Sequence, residues 1–302
     1  MRTQLHSAVL LCLLTMTACS NADRGEPEYI ASIQKWQQQR EAYQLSEKGW
    51  LNLAGLFWLE PGENSFGSGK DNAIVFPEGK APEFMGTFTL SDSGVSVVIA
   101  DGVTVLHNDK PVHALPLRYD LMGNPTVLTY GSLAWFIIKR GDKFAVRLRD
   151  FSNEALTNFA GIETFPIDTL WRITARFEPY DPPKKITVPT ILGTTIEQNC
   201  PGVVVFEWQG EEYRLEPTSE PEDEELFVIF ADKTNGKETY GGGRFIEFPW
   251  PDSSGTVVID FNKAYNPPCA FTVFATCPLP PDQNKLPFRV TAGEKRYAGG
   301  EH

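Results

Sequence analysis

A mainly β fold, an antiparallel barrel or sandwich with one N-terminal helix, is what this sequence predicts. Three observations lead there. Only Glu28–Leu45 carries a helical period. More than a dozen later segments are short, rich in β-branched and aromatic residues, and bounded by turn residues. About 280 residues follow the leader, enough to bury a large core.

The chain opens with a segment outside that fold. Arg2 is followed by the apolar run Ala8–Leu14, too short for a permanent membrane span. Thr17 and Ala18 precede Cys19, an arrangement that resembles a lipobox with Met16 in the place where leucine is more usual. Residues 1–18 are therefore expected to be a lipoprotein signal peptide. Cys19 would become the diacylglyceryl attachment point and anchor the chain to a membrane at roughly 0.8 kcal/mol per buried CH2. Ser20 in the next position points to the outer membrane rather than the inner, with the domain facing the periplasm. Residues 19–27 read as a polar tether without periodicity. Residues 28–302 read as one β domain, with a sub-boundary at 179–184 as the one place it could divide.

In the helix, Ile30, Ile33, Trp36 or Gln37, Arg40 and Tyr43 recur at helical spacing, and Gly49 follows as a stop. Strands are expected at 73–76, 84–90, 95–100 and 103–107, separated by turns such as Asp92-Ser93-Gly94 and Asp101-Gly102. Residues 132–139 and 143–149 flank Arg140-Gly141-Asp142, which reads as a hairpin turn and not as an adhesion motif. Further strands are expected at 171–178, 203–208, 212–216, 226–231, 244–248, 256–261 and 287–291. Pro179-Tyr-Asp-Pro-Pro183 should stop strand and helix alike, as a linker or a stiff crossover between sheets. Residues 216–225, acidic with two prolines, read as a solvated loop; they lack the regular carboxylate spacing of a calcium site.

Composition narrows the partners. The net charge of −12 becomes one unit more negative once Arg2 leaves with the leader. An acidic domain is repelled by phosphate backbones, so nucleic acid is not an expected partner. No later apolar run reaches membrane-span length. Beyond Cys19 the mature chain has three cysteines. Cys200 reads as a small buried hydrophobe. Cys269 and Cys277, eight apart, fit either a disulfide in an oxidising compartment or two buried thiols.

The familiar catalytic signatures, such as Gly-x-Ser-x-Gly, His-Glu-x-x-His, a Walker loop and a dinucleotide fingerprint, do not occur. The stretch His107–His113 matches no common metal spacing and reads as a surface hairpin, so no metal and no cofactor are expected. The informative region is 240–295, where six of the chain's 23 prolines crowd between Pro267 and Pro287. Three glycines precede Arg244, whose guanidinium could take a carboxylate or phosphate; the alternative is a buried pair with Asp260 or Asp232. If the strand continues, Asp260 and Asn262 share one face. Tyr265 and Asn266 fall where Pro267-Pro268 must end it. Arg244, Asp260, Asn262, Tyr265 and Asn266 are the binding candidates, and each can equally be a loop brace; no catalytic residue is identified.

At these residues the chain resembles a bacterial family, domain-of-unknown-function family 1684. The likeness rests on residues 239–245, on the Asp260–Thr272 run with its Asn-Pro-Pro-Cys core, and on Ala275–Pro281 with Asn284 and Pro287. Weaker agreement lies at 49–58, at the Arg140-Gly-Asp turn and at 159–172. The resemblance implies an exported or lipid-anchored protein and carries no assigned activity. The expected function is that of a cell-envelope lipoprotein binding a small anionic or sugar-like ligand at the C-terminal loop edge. Alternatives are a hydrolase using a carboxylate base and a purely structural envelope protein.

Overall fold

The computed structural model describes residues 22–300. The expected signal peptide and its lipidation residue Cys19 lie outside the described residues.

Helix α1 (Pro27–Leu45) starts on Pro27, where a fixed φ and a missing N–H cost nothing, with Glu28 in the first turn. Its inward stripe is thin: Ile33 and Gln44 are its buried residues, and Trp36 and Arg40 are half-buried on the same side. Then follow β1 (Leu53–Trp58), β2 (Gly62–Gly67), β3 (Ile74–Val75), β4 (Gly86–Ser91), β5 (Gly94–Ile99), β6 (Val105–His107), β7 (Lys110–Val112), β8 (Ala114–Leu117), β9 (Leu128–Tyr130), β10 (Leu133–Arg140) and β11 (Lys143–Asp150). One sheet orders these β1-β11-β10-β9-β6-β7, the other β3-β2-β4-β5-β8. Their inner faces meet over Phe66, Phe76, Phe88 and Trp135, all fully buried, with Phe66 stacked on Phe88 at 4.3 Å between ring centres.

After the short α2 (Glu154–Thr157) come β12 (Arg172–Pro189), β13 (Thr195–Trp208), β14 (Glu211–Leu215), β15 (Glu225–Phe230), β16 (Arg244–Pro249) and β17 (Thr256–Asp260). They form a four-stranded sheet, β14-β13-β12-β17, and the ribbon β15-β16. Phe206, Phe230, Ile246 and Phe261 fill the space between them. All strand pairs but β2–β3 are antiparallel. The protein is mainly β, with its one long helix at the N-terminal end.

Two hairpins follow their turn chemistry. β10 and β11 close on Gly141-Asp142, with Gly141 at φ 57° and Arg140 paired to Lys143. β6 and β7 close on Asn108-Asp109, both left-handed.

Four local expectations differ from the fold. The run 179–183 does not stop the strand: β12 passes through it, with an irregularity in its pairing to β13 between Pro179 and Lys184. The ladder of β12 with β17 ends at Arg176, short of Pro179, Pro182 and Pro183, so their missing donors interrupt no pairing on that side. Residues 287–291 form no strand; the Phe288 carbonyl accepts from the Lys233 N–H at 2.9 Å, and the Val290 carbonyl goes to a side chain, as described below. The acidic stretch is not wholly solvated, because Glu216 is buried and accepts from Lys184, Tyr180 and Gln283. Burial alone would raise the Glu216 carboxyl, but these three donors outweigh it and hold its pKa below the usual range. Finally, residues read as tether pair with the domain: the Arg24 N–H donates to the Ile167 carbonyl at 2.6 Å, and the Thr169 N–H donates to the Arg24 carbonyl at 3.0 Å.

Candidate functional site

Arg244 is the first residue of β16, and the glycine before it is required. Gly243 sits at φ 90°, and a Cβ there would collide with the Phe230 carbonyl and the Pro280 ring. That close approach drives the Arg244 side chain inward, where it is fully buried. Its Nη2 donates to Asp232 Oδ2 and to the Val290 carbonyl, both at 2.9 Å, and Nη1 donates to the Ala292 carbonyl. Burial works against the charge and Asp232 supports it; the guanidinium remains the cation. The expectation of a ligand-facing fork is therefore corrected. Arg244 is an internal staple whose partner is Asp232, and it holds the Val290 carbonyl of the unpaired run 287–291.

Asp260 and Asn262 are also structural. β17 ends at Asp260, whose carboxylate accepts from the Asn262 N–H at 3.1 Å and caps the turn that follows. Asn262, 1% exposed, donates through Nδ2 to the Asp168 carbonyl at 2.9 Å and accepts from the Asp168 N–H at 3.0 Å. The Tyr29 hydroxyl donates to Asp260 at 3.0 Å and accepts from Asn262 at 2.9 Å. Burial and the facing Asp260 push the Tyr29 phenol well above its ordinary pKa. These residues tie α1, β17 and the 167–169 segment together.

Tyr265 and Asn266 are placed differently. Tyr265 exchanges two backbone hydrogen bonds with Phe245 at 2.9 Å each, so its ring lies beside β16. The Asn266 N–H donates to Glu294 Oε2 at 2.7 Å, and its Nδ2 donates to the Lys295 carbonyl at 2.7 Å. Its Oδ1 is buried and has no hydrogen-bond partner among the described residues. Glu294, 1% exposed, holds Arg40 Nε with its other oxygen at 3.0 Å. The Arg40 guanidinium in turn lies 4.4 Å from the Tyr265 ring centre.

Around that stack is an open cleft. Arg40, Tyr43, Trp50, Phe227, Phe245, Tyr265, Asn266 and Pro268 line a concavity of about 330 Å³. It adjoins a second of about 230 Å³ that shares Arg40 and Tyr43 and adds Trp36 and Gln39. Six aromatic side chains thus surround one guanidinium between α1 and the β15–β16 ribbon. Crowding around the Glu247 carboxyl raises its pKa, although the residue keeps contact with solvent; the Tyr265 hydroxyl beside it pulls the other way. Burial, and then Glu247, raise the Tyr265 phenol. Of the five binding candidates, two line this cleft and three lie in the locks behind it. The sequence reading missed Arg40, Trp36, Trp50 and Phe227 as site residues. A signal for Arg40 exists, since it falls on the same helical stripe as Ile33 and Trp36.

Cys269 and Cys277 are joined as a disulfide, with Cα atoms 6.2 Å apart, inside a small cluster with Leu51, Phe271 and Tyr297. Closing so short a loop contributes about 2–3 kcal/mol, so reduction is expected to lower Tm by roughly 5–10 °C. An unchanged Tm with the bridge verifiably open would refute that role. Cys200 is a free buried thiol whose pKa burial pushes up to about 11, which makes it unreactive.

The family described as "Protein of unknown function (DUF1684)" matches residues 157–295, which span the lock residues and β12 to β17. The upstream run 49–58 lies outside that match. A solved solution structure of an uncharacterized protein from gene locus rrnAC0354 of Haloarcula marismortui is 34% identical, covering 49% of this chain and 82% of that one. Its TM-score is 0.40, too low for any argument from shape. No curated protein matches.

Proposed function

This chain belongs to the DUF1684 family of proteins of unknown function, and on that premise we propose that it is a cell-envelope lipoprotein binding a small anionic or sugar-like ligand in the aromatic cleft. Cys19 is its anchor, most simply to the periplasmic face of the outer membrane. The observation that carries the reading is the Arg40–Tyr265 stack at 4.4 Å in the middle of six aromatic side chains on a concave surface. Aromatic faces pack against the C–H faces of a sugar ring, and their polar edges bond its hydroxyls. Arg40 spends Nε on Glu294 and reaches the Asn266 carbonyl through Nη2 at 3.5 Å. Nη1 has no protein hydrogen bond among the described residues and can meet a carboxylate or hydroxyl.

Two alternatives weigh less. A hydrolase with Asp260 as its carboxylate base would need that residue free, yet its oxygens are committed to Tyr29 and Asn262. A purely structural role accounts for the locks but leaves the open aromatic cleft without a purpose.

The test is thermal stabilisation of the full chain by a panel of neutral and acidic oligosaccharides. A true ligand at a hundredfold excess over Kd should add about 2.7 kcal/mol. Trp36→Ala removes one aromatic wall without touching a lock and should weaken binding about tenfold. No saturable shift across the panel, or equal shifts in the wild type and Trp36→Ala, would sink the proposal.

A further inference from the structure

A larger concavity than the cleft lies away from it, at the point where the N-terminal segment docks. It is an open hollow of about 780 Å³, lined by residues 22–24 from that segment, by residues 164–166 with Asp168 and Trp171, and by Glu238, Thr291 and Lys295. Its walls carry both signs of charge: Arg24 and Lys295 on one side of the balance, Asp23, Asp168 and Glu238 on the other. Trp171 supplies an aromatic face.

Both cations are held loosely. Arg24 Nη1 is 3.8 Å from Asp168 Oδ2, and the Arg24 side chain is 64% exposed. Lys295 Nζ is 3.6 Å from Glu163 Oε2, whose side chain is 75% exposed. Solvent-facing pairs of this kind contribute little net stability, so either cation can exchange its partner for a ligand anion. The carboxylates argue against a simple anion, and the two cations against a simple cation. A zwitterion meets both.

Position selects among zwitterions. The Arg24 backbone is bonded to Ile167 and Thr169, so this segment leaves the domain at the cavity's rim. Only five residues carry the chain from Cys19 to Arg24, a reach of about 17 Å at full extension. An acyl chain on Cys19 therefore keeps the cavity within one short tether of the headgroup layer. The strongly acidic domain would be repelled by anionic headgroups but not by zwitterionic ones.

We infer that this cavity is a second binding site, for a phosphate that carries a short-chain ammonium group. Arg24 and Lys295 take the phosphate; Asp23 and Asp168 face the ammonium, while Glu238 stays paired with Arg289 at 2.6 Å. The source is either a phosphoethanolamine headgroup in the membrane or the free glycerophosphodiester. The membrane source rests on the anchor reading of Cys19; the site chemistry does not.

The experiment titrates glycerophosphoethanolamine into the mature full chain by calorimetry, in detergent and then in vesicles. Saturable binding is expected in detergent, with glycerophosphoglycerol, which lacks the ammonium, at least about tenfold weaker. The double variant Arg24→Ala/Lys295→Ala, which keeps every backbone bond of the segment, should lose binding by a similar factor or more. Phosphatidylethanolamine vesicles weaken the apparent affinity relative to phosphatidylglycerol vesicles if the headgroup competes for the cavity; equal affinity in both assigns the site to the free diester. Absence of saturable binding in detergent, equal affinity for the two diesters, or an unaffected double variant overturns the site. An intact mass without acyl groups at Cys19 refutes the anchor and the membrane source, while the diester titration still decides the cavity.

Discussion

Replacing Arg244 with alanine is expected to cost about 3–5 kcal/mol, a large share of the roughly 5–15 kcal/mol that holds a typical domain together. The loss is not that of one contact. The change strands the Asp232 carboxylate in a site that is completely dry on both sides of the pair. It also removes the donors to the Val290 and Ala292 carbonyls, which have no strand neighbour to turn to. Lysine should not rescue, because a compact ammonium cannot reproduce the planar fork that reaches a carboxylate and two carbonyls together. Urea unfolding checks this through the midpoint at constant m. A cost below about 1 kcal/mol would mean that the pair is dispensable. Asp232→Ala should be comparably severe, since it leaves the guanidinium buried without its counter-ion while the Thr234 and Val290 N–H groups lose their acceptor.

Glu294→Ala ranks second, at about 3 kcal/mol. Glu294 bridges Arg40 on the helix and the Asn266 N–H on the loop, so its removal loosens the seam that shapes the aromatic cleft. Stability and binding should fall together: urea unfolding reports the first, and the loss of saccharide-induced stabilisation the second. Retained binding with a loosened seam would show that Arg40 is positioned without Glu294, and that the cleft does not depend on this bridge.

The two substitutions also show how far the sequence could be read. The crowding of prolines and polar residues at 240–295 marks a region of tightly specified backbone, and the structure makes it the seam of the C-terminal half. That Arg244 could pair with Asp232 or Asp260 is visible as a short menu of acids. Which acid it takes depends on where β15 delivers Asp232, a position that no local pattern encodes. Residues 287–291 look like a strand because their residue types suit one, but Val290 bonds to the Arg244 and Asp232 side chains where a strand neighbour would be. Glu216 looks solvated because its sequence neighbours are acidic, whereas its partners Lys184 and Tyr180 come from another strand. Arg40 sits in plain view on the helical stripe, but its meaning depends on Tyr265 and Glu294, more than two hundred residues away.

By itself the sequence determined the local and compositional facts. These are the helix over Glu28–Leu45, the hairpin at Arg140-Gly141-Asp142 and the surface hairpin within His107–His113, the β-rich periodicity, the family resemblance, and the leader with Cys19 as an expectation. Each depends on residues within a few positions of one another, where backbone preference and side-chain alternation act directly. Tertiary structure alone decided which polar groups are buried with partners and which are left on concave surfaces. It turned Arg244, Asp260 and Asn262 into locks, left Tyr265 and Asn266 lining a cleft, and built a charged cavity against the N-terminal segment. The reason is physical: burial and pairing are properties of distances between remote segments, and a buried charge is stable only where the fold brings its counter-charge.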